Sequence, residues 1–173
     1  MKYDIIIVGG NLVGAVCAVA LAKLRADFKI AIIETNLATH IDDSKLDSRV
    51  YAISPHNHQQ LRELNLWPNA AVTGQILQMN VSGPKSNIVL DSLTANRNYL
   101  AKIIESNKLL KAIYMQIAQY DNIDIINTRL INIEIMPNTT QLIAENGKTY
   151  TASFTGARDG SSIGPLTWSF TAQ

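Results

Sequence analysis

The sequence contains a single cysteine, Cys17, among its 173 residues. No disulfide can therefore form within the chain, and this cysteine usage suits a reducing compartment. Charge of one sign is also lacking, because 15 lysines and arginines face 14 aspartates and glutamates, for a net charge of +1. This balance provides no electrostatic attraction for nucleic acid or for an anionic membrane surface, so we predict no nucleic-acid partner.

Long apolar runs are absent as well. No stretch approaches the roughly 18 apolar residues that a membrane-spanning helix needs. The first eight residues include Lys2 and Asp4 and lead straight into glycines, so they lack the length and the cleavage site of a signal peptide. We therefore expect a cytoplasmic protein. Hydrophobic residues make up 47% of the chain, which is enough for a globular core.

Groups suited to metal binding or acid–base chemistry are few. His56 and His58 are two residues apart, a spacing that does not place them on one side of a helix, and no cysteine near them or near His40 completes a ligand set. We predict solvated loop histidines and no metal site. Asp42 and Asp43 are interpreted as polar loop residues. No residue is predicted to be catalytic.

The first 34 residues predict a βαβ unit. Residues 3–8 form a short run that is apolar apart from Asp4, which is typical of a buried parallel strand. Residues 12–26 are rich in alanine, leucine and valine and predict a buried helix, with Cys17 on its apolar face. Residues 29–34 predict a second strand, which completes the unit.

The turn between the first strand and the helix has the sequence GGNLVG, close to the nucleotide-binding pattern G-x-G-x-x-G. Gly9 fits the glycine that makes the tight turn, and Gly14 fits the glycine that allows close packing of helix and strand. Asn11 stands where the second glycine should let a phosphate approach, so its side chain is expected to project toward the ligand. Gly10 restores some of the backbone conformational freedom that a glycine at position 11 would have provided.

Glu34 provides independent support for a dinucleotide site. It ends the second strand and lies 20 residues after Gly14 (34 − 14 = 20), where a carboxylate can accept hydrogen bonds from a ribose. The sequence therefore predicts a dinucleotide-binding fold in which a helix N-terminus attracts a pyrophosphate. The candidate contacts from this region are Gly9, Gly10, Asn11, Leu12, Val13, Gly14 and Glu34.

The remainder of the chain predicts a mixed α/β order. Residues 35–54 are interpreted as a loop, and residues 55–64 as a helix with Ser54 as its N-cap. A longer helix begins at Ser106 or Asn107. The predicted strands are residues 75–81, 87–90, 123–126 and 130–135, and residues 141–145 and 148–154 around the hairpin turn Asn146-Gly147.

A further set of motifs follows the predicted βαβ unit. Asp47-Ser48-Arg49 leads into Ala52-Ile53-Ser54 and then into a helix followed by Leu64-Asn65-Leu66-Trp67. These motifs, together with the glycine turn, resemble the FAD-dependent aromatic hydroxylases, in particular the ubiquinone-biosynthesis hydroxylase group. The resemblance implies that Arg49 lies against the flavin of FAD, where an arginine can pair with phosphate or polarise the ring system.

Two later segments resemble the same family with departures. Residues 104–110 are similar to its Val-Glu-Asn-Arg-x-Leu-Gln segment, with Leu110 in place of a glutamine that would touch the flavin. Residues 156–162 are similar to its Gly-Ala-Asp-Gly-x-x-Ser segment, with Arg158 inserted before Asp159. The resemblance implies that Asp159 lies near the diphosphate of the cofactor.

The resemblance also implies a fold and a domain division. The fold is α/β, a Rossmann-like FAD-binding domain that starts with βαβ and combines a parallel sheet with an antiparallel β-meander. This domain would cover residues 1–165, with part of the substrate domain inserted at about residues 70–100, and residues 166–173 would begin the substrate-domain sheet. Family members continue well beyond this length, so we expect a truncated or decaying hydroxylase, or a fragment of a longer chain.

The implied activity is that of an FAD-dependent monooxygenase that uses NADH or NADPH and hydroxylates an aromatic or polyprenylated quinone precursor. Such a substrate favours peripheral association with the inner membrane. Two other interpretations stay open. One is a non-catalytic remnant that acts as an interaction or homo-oligomerising module through an open sheet edge. The other is a plain NAD-binding module that uses Gly9, Gly14 and Glu34.

Overall fold

A computed structural model describes residues 1–36, 46–68, 73–137 and 139–153. The chain divides into two compact units, Met1–Leu37 with Ile117–Gln173, and Ala38–Gln116. Several positions singled out above lie outside the described residues, namely His40, Asp42, Asp43, Asp159 and the strand predicted at residues 166–173.

Twelve strands and three helices are present in the described ranges. They are β1 (Lys2–Tyr3), β2 (Ile5–Val8), α1 (Leu12–Leu24), β3 (Ile30–Glu34), β4 (Val50–Ile53), α2 (Pro55–Glu63), β5 (Gly74–Ile76), β6 (Gln78–Gly83), β7 (Ser86–Asp91), β8 (Ala101–Glu105), α3 (Ser106–Ile117), β9 (Ile123–Asn127), β10 (Leu130–Met136), β11 (Thr139–Ala144) and β12 (Thr149–Ala152).

The first unit contains a parallel sheet in the order β2-β3-β9. In the central strand, Ile32 lies opposite Ile7 of β2 and Ile125 of β9. Residues Ile30 to Ile33 are all buried, which is why this strand is continuously apolar instead of alternating. With α1 connecting β2 to β3, the predicted βαβ unit is confirmed.

A second sheet of the same unit has the order β1-β12-β11-β10. Strands β10, β11 and β12 form an antiparallel meander, and Gly147 supplies a positive φ of 74° at the predicted hairpin turn. Tyr3, Leu142 and Tyr150 from this sheet share a core cluster with Ala31 of the parallel sheet. The predicted combination of a parallel sheet with a meander is therefore confirmed.

The first predicted strand, residues 3–8, is divided at Asp4. Lys2–Tyr3 pairs with β12, while Ile5–Val8 pairs with β3. The Asp4 carboxylate accepts a hydrogen bond from the Lys29 amide at 2.7 Å. The chain thus passes from one sheet to the other at Asp4, the single charged residue of the predicted strand.

The second unit contains an antiparallel sheet in the order β4-β8-β5 and a separate β6–β7 hairpin. The predicted helix after Ser54 is confirmed, since the Ser54 side chain accepts a hydrogen bond from the Asn57 amide at 3.3 Å. The interpretation of residues 35–54 as a loop is wrong at β4. This strand is defined by its pairing with β8, a contact between distant parts of the chain.

Two side chains differ from their predicted environments. His58 is not a solvated loop residue, because it lies on α2, is buried, and places Nδ1 2.9 Å from the Tyr99 hydroxyl. Cys17 is exposed on α1 and is not part of the core.

Among the described residues, no group of three or more metal-ligating side chains converges. None of the described helices is long and apolar enough to span a membrane.

Candidate functional site

The structure brings the glycine turn and Glu34 together at the carboxyl edge of the parallel sheet. Strand β2 leads into the turn and β3 ends in Glu34, the edge at which open α/β sheets bind ligands. The amide of Gly10 donates a hydrogen bond to Glu34 Oε2 at 2.7 Å. The glycine turn and Glu34, the two predicted elements of the site, are therefore in direct contact although they are 24 residues apart in the sequence.

Gly9 and Gly14 each occupy a position that requires glycine. Gly9 has a φ of 99°, in the region that residues with side chains rarely adopt. A Cβ added to Gly14 would lie 1.9 Å from the Gly9 carbonyl oxygen and 3.1 Å from Ile7 Cγ2. Helix α1 therefore packs directly against the turn, which is the close helix–strand packing expected of the last glycine.

Asn11 is the N-cap of α1. Its backbone is extended, with a φ of −72°, so glycine is not needed there for conformational reasons. The side-chain Oδ1 accepts a hydrogen bond from the Leu12 amide at 2.7 Å. Asn11 therefore covers one of the donors that a helix N-terminus offers to an anion, and the missing glycine affects access to these donors more than the shape of the turn.

The first turn of α1 is otherwise suited to an anion. It contains no acidic residue, and the positive end of the helix dipole lies there. Leu12, Val13 and Gly14 contribute backbone amides at this end, where N–H groups lack partners within the helix. The Val13 side chain is exposed to solvent and is not part of the core beneath the turn.

Glu34 is held in its ionised form. Burial of the Glu34 carboxylate favours protonation, but hydrogen bonds from the backbone amides of Asn36, Gly10 and Thr35 outweigh burial and lower its pKa. The Asn36 amide lies 2.8 Å from Oε1. An ionised carboxylate accepts several hydrogen bonds, so Glu34 can hold the turn and still accept from a ribose hydroxyl.

Arg49 belongs to the second unit and extends from the chain just before β4. Its side chain is 70% exposed, and Nε lies 3.4 Å from Asp47 Oδ1. The Asp47 side chain is only 10% exposed. The contact is long and the guanidinium itself is mostly exposed, so it is available for a ligand.

Asp47 fixes the segment that carries Arg49. Its Oδ1 accepts from the Arg49 amide at 2.9 Å, and its Oδ2 accepts from the Asn107 amide at 3.1 Å in the first turn of α3. These contacts, led by the Arg49 amide, lower the pKa of Asp47. Sequence reasoning assigned no role to Asp47. The signal that could have found it is the Asp-x-Arg spacing, since an aspartate commonly accepts from the amide two residues later.

The glycine turn, the parallel sheet and the meander define a Rossmann-like fold of the kind found in solved monooxygenases. The solved p-nitrophenol 4-monooxygenase PnpA of Pseudomonas putida is similar over 88% of this chain and 40% of its own, at 18% identity and a TM-score of 0.64. PqsL of Pseudomonas aeruginosa is similar over 88% and 41%, at 12% identity and a TM-score of 0.65. These likenesses show the fold.

Curated relatives place the resemblance more closely. The ubiquinone biosynthesis monooxygenases COQ6 of Caenorhabditis elegans and Drosophila melanogaster are 24% and 27% identical over 91% of this chain. The ubiquinone hydroxylase UbiM of Neisseria meningitidis is 24% identical over 92% of it. The chain spans 36 to 38% of the length of these relatives. No family model matches. The resemblance to the FAD-dependent aromatic hydroxylases, including the ubiquinone hydroxylases, is confirmed.

Proposed function

We propose that the chain binds FAD and serves as the cofactor-binding portion of an FAD-dependent monooxygenase of the ubiquinone-hydroxylase type. The observation that carries this proposal is the turn in which Gly9 adopts a positive φ and Gly14 has no room for a Cβ. A turn of this shape, with Glu34 bonded to Gly10, fits the adenosine and diphosphate portion of a dinucleotide.

Each candidate residue has a separate role in this proposal. The N-terminus of α1 holds the diphosphate through those amides of residues 10–14 that do not already donate to Glu34 or to the Asn11 side chain. Glu34 accepts hydrogen bonds from the ribose of the adenosine. The resemblance assigns Arg49 to the flavin portion and Asp159 to the diphosphate. When bound, FAD supplies the redox chemistry, with NADH or NADPH as reductant, and the chain binds and orients it.

The substrate in this proposal is the aromatic or polyprenylated quinone precursor that the resemblance implies. The curated relatives are named for ubiquinone biosynthesis and for a ubiquinone hydroxylase, which supports this class. Such a hydrophobic substrate favours peripheral contact with a membrane. No described side chain is assigned as a general acid or base, because neither the turn nor Glu34 offers a group poised for proton transfer at neutral pH.

Asn11→Gly should bind FAD more tightly than the unmodified chain. Removing the side chain frees the Leu12 amide for a phosphate oxygen, and one hydrogen bond of this kind is worth about 1 kcal/mol, or roughly fivefold in affinity. The cost to the helix is a few tenths of a kcal/mol, since glycine is a tolerated N-cap. Titration of flavin fluorescence with protein measures the affinity, and thermal unfolding with and without FAD measures the linked stabilisation.

Asn65→Gly is the matched control, because Asn65 has a positive φ of 59° and belongs to the second unit, whereas the turn belongs to the first. It should leave FAD affinity unchanged. Equal or weaker FAD binding by Asn11→Gly would contradict the obstructing role of Asn11. If the unmodified chain, Asn11→Gly and Asn65→Gly all failed to bind FAD, the proposed function would be excluded.

A specific surface favours a second candidate function, a homo-oligomerising module. In the β6–β7 hairpin, Met79 pairs with Leu90 and Val81 with Ile88, so these four side chains share one face. All four are exposed, and we call them the hairpin patch. Contiguous exposed apolar residues mark interaction surfaces. A second copy of this chain suits the patch, because a twofold interface uses the same surface on both molecules.

Replacement of apolar side chains in the hairpin patch by charged ones tests this second candidate function. Val81→Lys combined with Ile88→Glu should convert an assembly into monomers, as measured by light scattering after size exclusion. The matched control is Asn80→Lys combined with Val89→Glu, a cross-strand pair on the opposite face. This control should leave the assembly intact. A monomeric unmodified chain, or equal effects of both double variants, would exclude the hairpin patch as the interface.

A further inference from the structure

A polar cleft of about 800 Å³ lies within the second unit, and none of its lining residues is assigned to FAD. Helix α2 forms one side, and residues 96–102 form the other. Apart from Pro55, every lining side chain among the described residues ends in a polar or charged group. Pockets of 300–1,000 Å³ are of the size that holds a small molecule, and this lining suits a polar one.

The cleft carries a positive charge. Arg62 on α2, Arg97 in the loop and Lys102 on β8 contribute +3, and Glu63 contributes −1, which leaves +2 with the histidine neutral. Within the described ranges, none of the three cations takes part in an ion pair. Unpaired cations that converge on one cleft raise the local concentration of anions.

Aromatic side chains hold the wall of the cleft in place. Lys102 Nζ lies 5.5 Å from the centre of the Tyr99 ring and 5.9 Å from that of Trp67. The Tyr99 hydroxyl lies 2.9 Å from His58 Nδ1, and the His58 ring meets Trp67 edge-on at 4.4 Å between centres. The lysine is therefore positioned before any ligand arrives, which reduces the entropic cost of binding.

The environment of His58 reports the same positive potential. Burial, followed by the charges of Lys102 and Arg62, lowers its pKa below the ordinary value. The groups that face this ring are Tyr99, Trp67 and the two cations, and no carboxylate is among its recorded contacts in the described chain. An anion in the cleft should therefore raise the pKa of His58.

We propose that this cleft binds a small phosphorylated ligand with two or more negative charges. Arginine forms bidentate hydrogen bonds to phosphate, and two arginines from different elements can hold two phosphoryl groups, or two edges of one. Lys102 adds a point charge on the same side of the cleft as Arg97. This assignment does not depend on FAD binding, because none of its residues belongs to the glycine turn, Glu34 or Arg49.

Tryptophan fluorescence of the full chain tests the proposal with inorganic pyrophosphate as the probe. The chain has two tryptophans, so Trp168→Phe leaves Trp67 as the single reporter beside the cleft. We expect a saturable change in Trp67 emission. Arg62→Gln and Arg97→Gln, made in this background, should each weaken the apparent affinity about tenfold, since each removes charge-assisted hydrogen bonds. Lys85→Gln, at the exposed turn of the hairpin, is the matched control and should have no effect.

Two further measurements separate a phosphate site from general attraction of anions. Citrate, a carboxylate polyanion, should bind at least about tenfold more weakly than pyrophosphate if the arginines recognise phosphate. NMR titration of His58 should show its pKa rise when pyrophosphate is added, and this rise should disappear in Arg97→Gln. No saturable emission change, equal losses in Lys85→Gln, or equal binding of citrate would each overturn the proposal.

Discussion

Gly14→Ala should lower the free energy of unfolding by about 3 kcal/mol, a large overpacking effect. The new methyl carbon would lie 1.9 Å from the Gly9 carbonyl oxygen, a distance that no real contact shows. The obstructing atom belongs to the backbone of a tight turn, so it cannot rotate away as a flexible side chain would. Either α1 moves away from β2 or the turn opens, and both changes disturb the proposed FAD site.

Gly74→Ala is the matched control for this variant. Its added carbon would meet nothing closer than Ile103 Cβ at 3.8 Å, which is ordinary van der Waals contact. Urea unfolding followed by circular dichroism should place Gly14→Ala well below the unmodified chain and Gly74→Ala close to it. Flavin fluorescence should show that FAD binding is lost only in Gly14→Ala. Similar midpoints for both variants would show that α1 does not pack against the turn as described.

The features that the sequence predicted well are those with local signals. The glycine turn, the buried strand ending in Glu34 and the hairpin at Gly147 depend on residues within a few positions of one another. The N-cap at Ser54 is equally local, since a serine followed by Pro55 specifies a helix start without help from the rest of the chain.

The features that the sequence missed are those created by pairing between distant segments. Strand β4 exists because Val50 lies opposite Glu105, and no periodicity within residues 35–54 indicates this partner. Burial of His58 depends on Tyr99, which lies 41 residues later. Asp47 gains its role from the Asn107 amide, 60 residues away. Such contacts are tertiary, and single-sequence patterns do not contain them.

The candidate site combines both kinds of feature, and Asn11 illustrates the difference. The pattern identified it as the residue that departs from glycine, and it indicated an obstruction. The structure adds that the obstruction is a hydrogen bond from the Leu12 amide to the Asn11 side chain, with the backbone in an ordinary conformation. A departure from a motif can therefore leave the fold of the turn intact while reducing what the turn offers to a ligand.

Glu34→Gln should have the second large effect, on stability and on FAD binding together. A glutamine can present its one oxygen to either the Gly10 or the Asn36 amide, and its NH₂ group then faces the other donor. Loss of charge-assisted hydrogen bonds and one mismatched donor should cost about 2 kcal/mol at neutral pH. Loss of the ionised ribose acceptor should weaken FAD binding by at least about tenfold.

The pH dependence distinguishes this mechanism from a general loss of packing. The folded-state pKa of Glu34 is lowered, so its contribution is complete above its unfolded pKa, near 4.5, and is lost as pH falls through the lower folded value. Asp47 and Glu105 also have lowered pKa values and remain in both proteins. The difference in unfolding free energy between the unmodified chain and Glu34→Gln should therefore be greatest at neutral pH and shrink below about pH 4.5.

Urea unfolding of both proteins at several pH values between about 3 and 7 measures this difference directly. Glu134→Gln, on an exposed position of β10, is the matched control and should stay close to the unmodified chain throughout. A constant difference across the whole pH range would mean that the carboxylate charge does not hold the turn. In that case Glu34 would act through its shape alone, and its proposed hydrogen bonds from a ribose would lose their electrostatic basis.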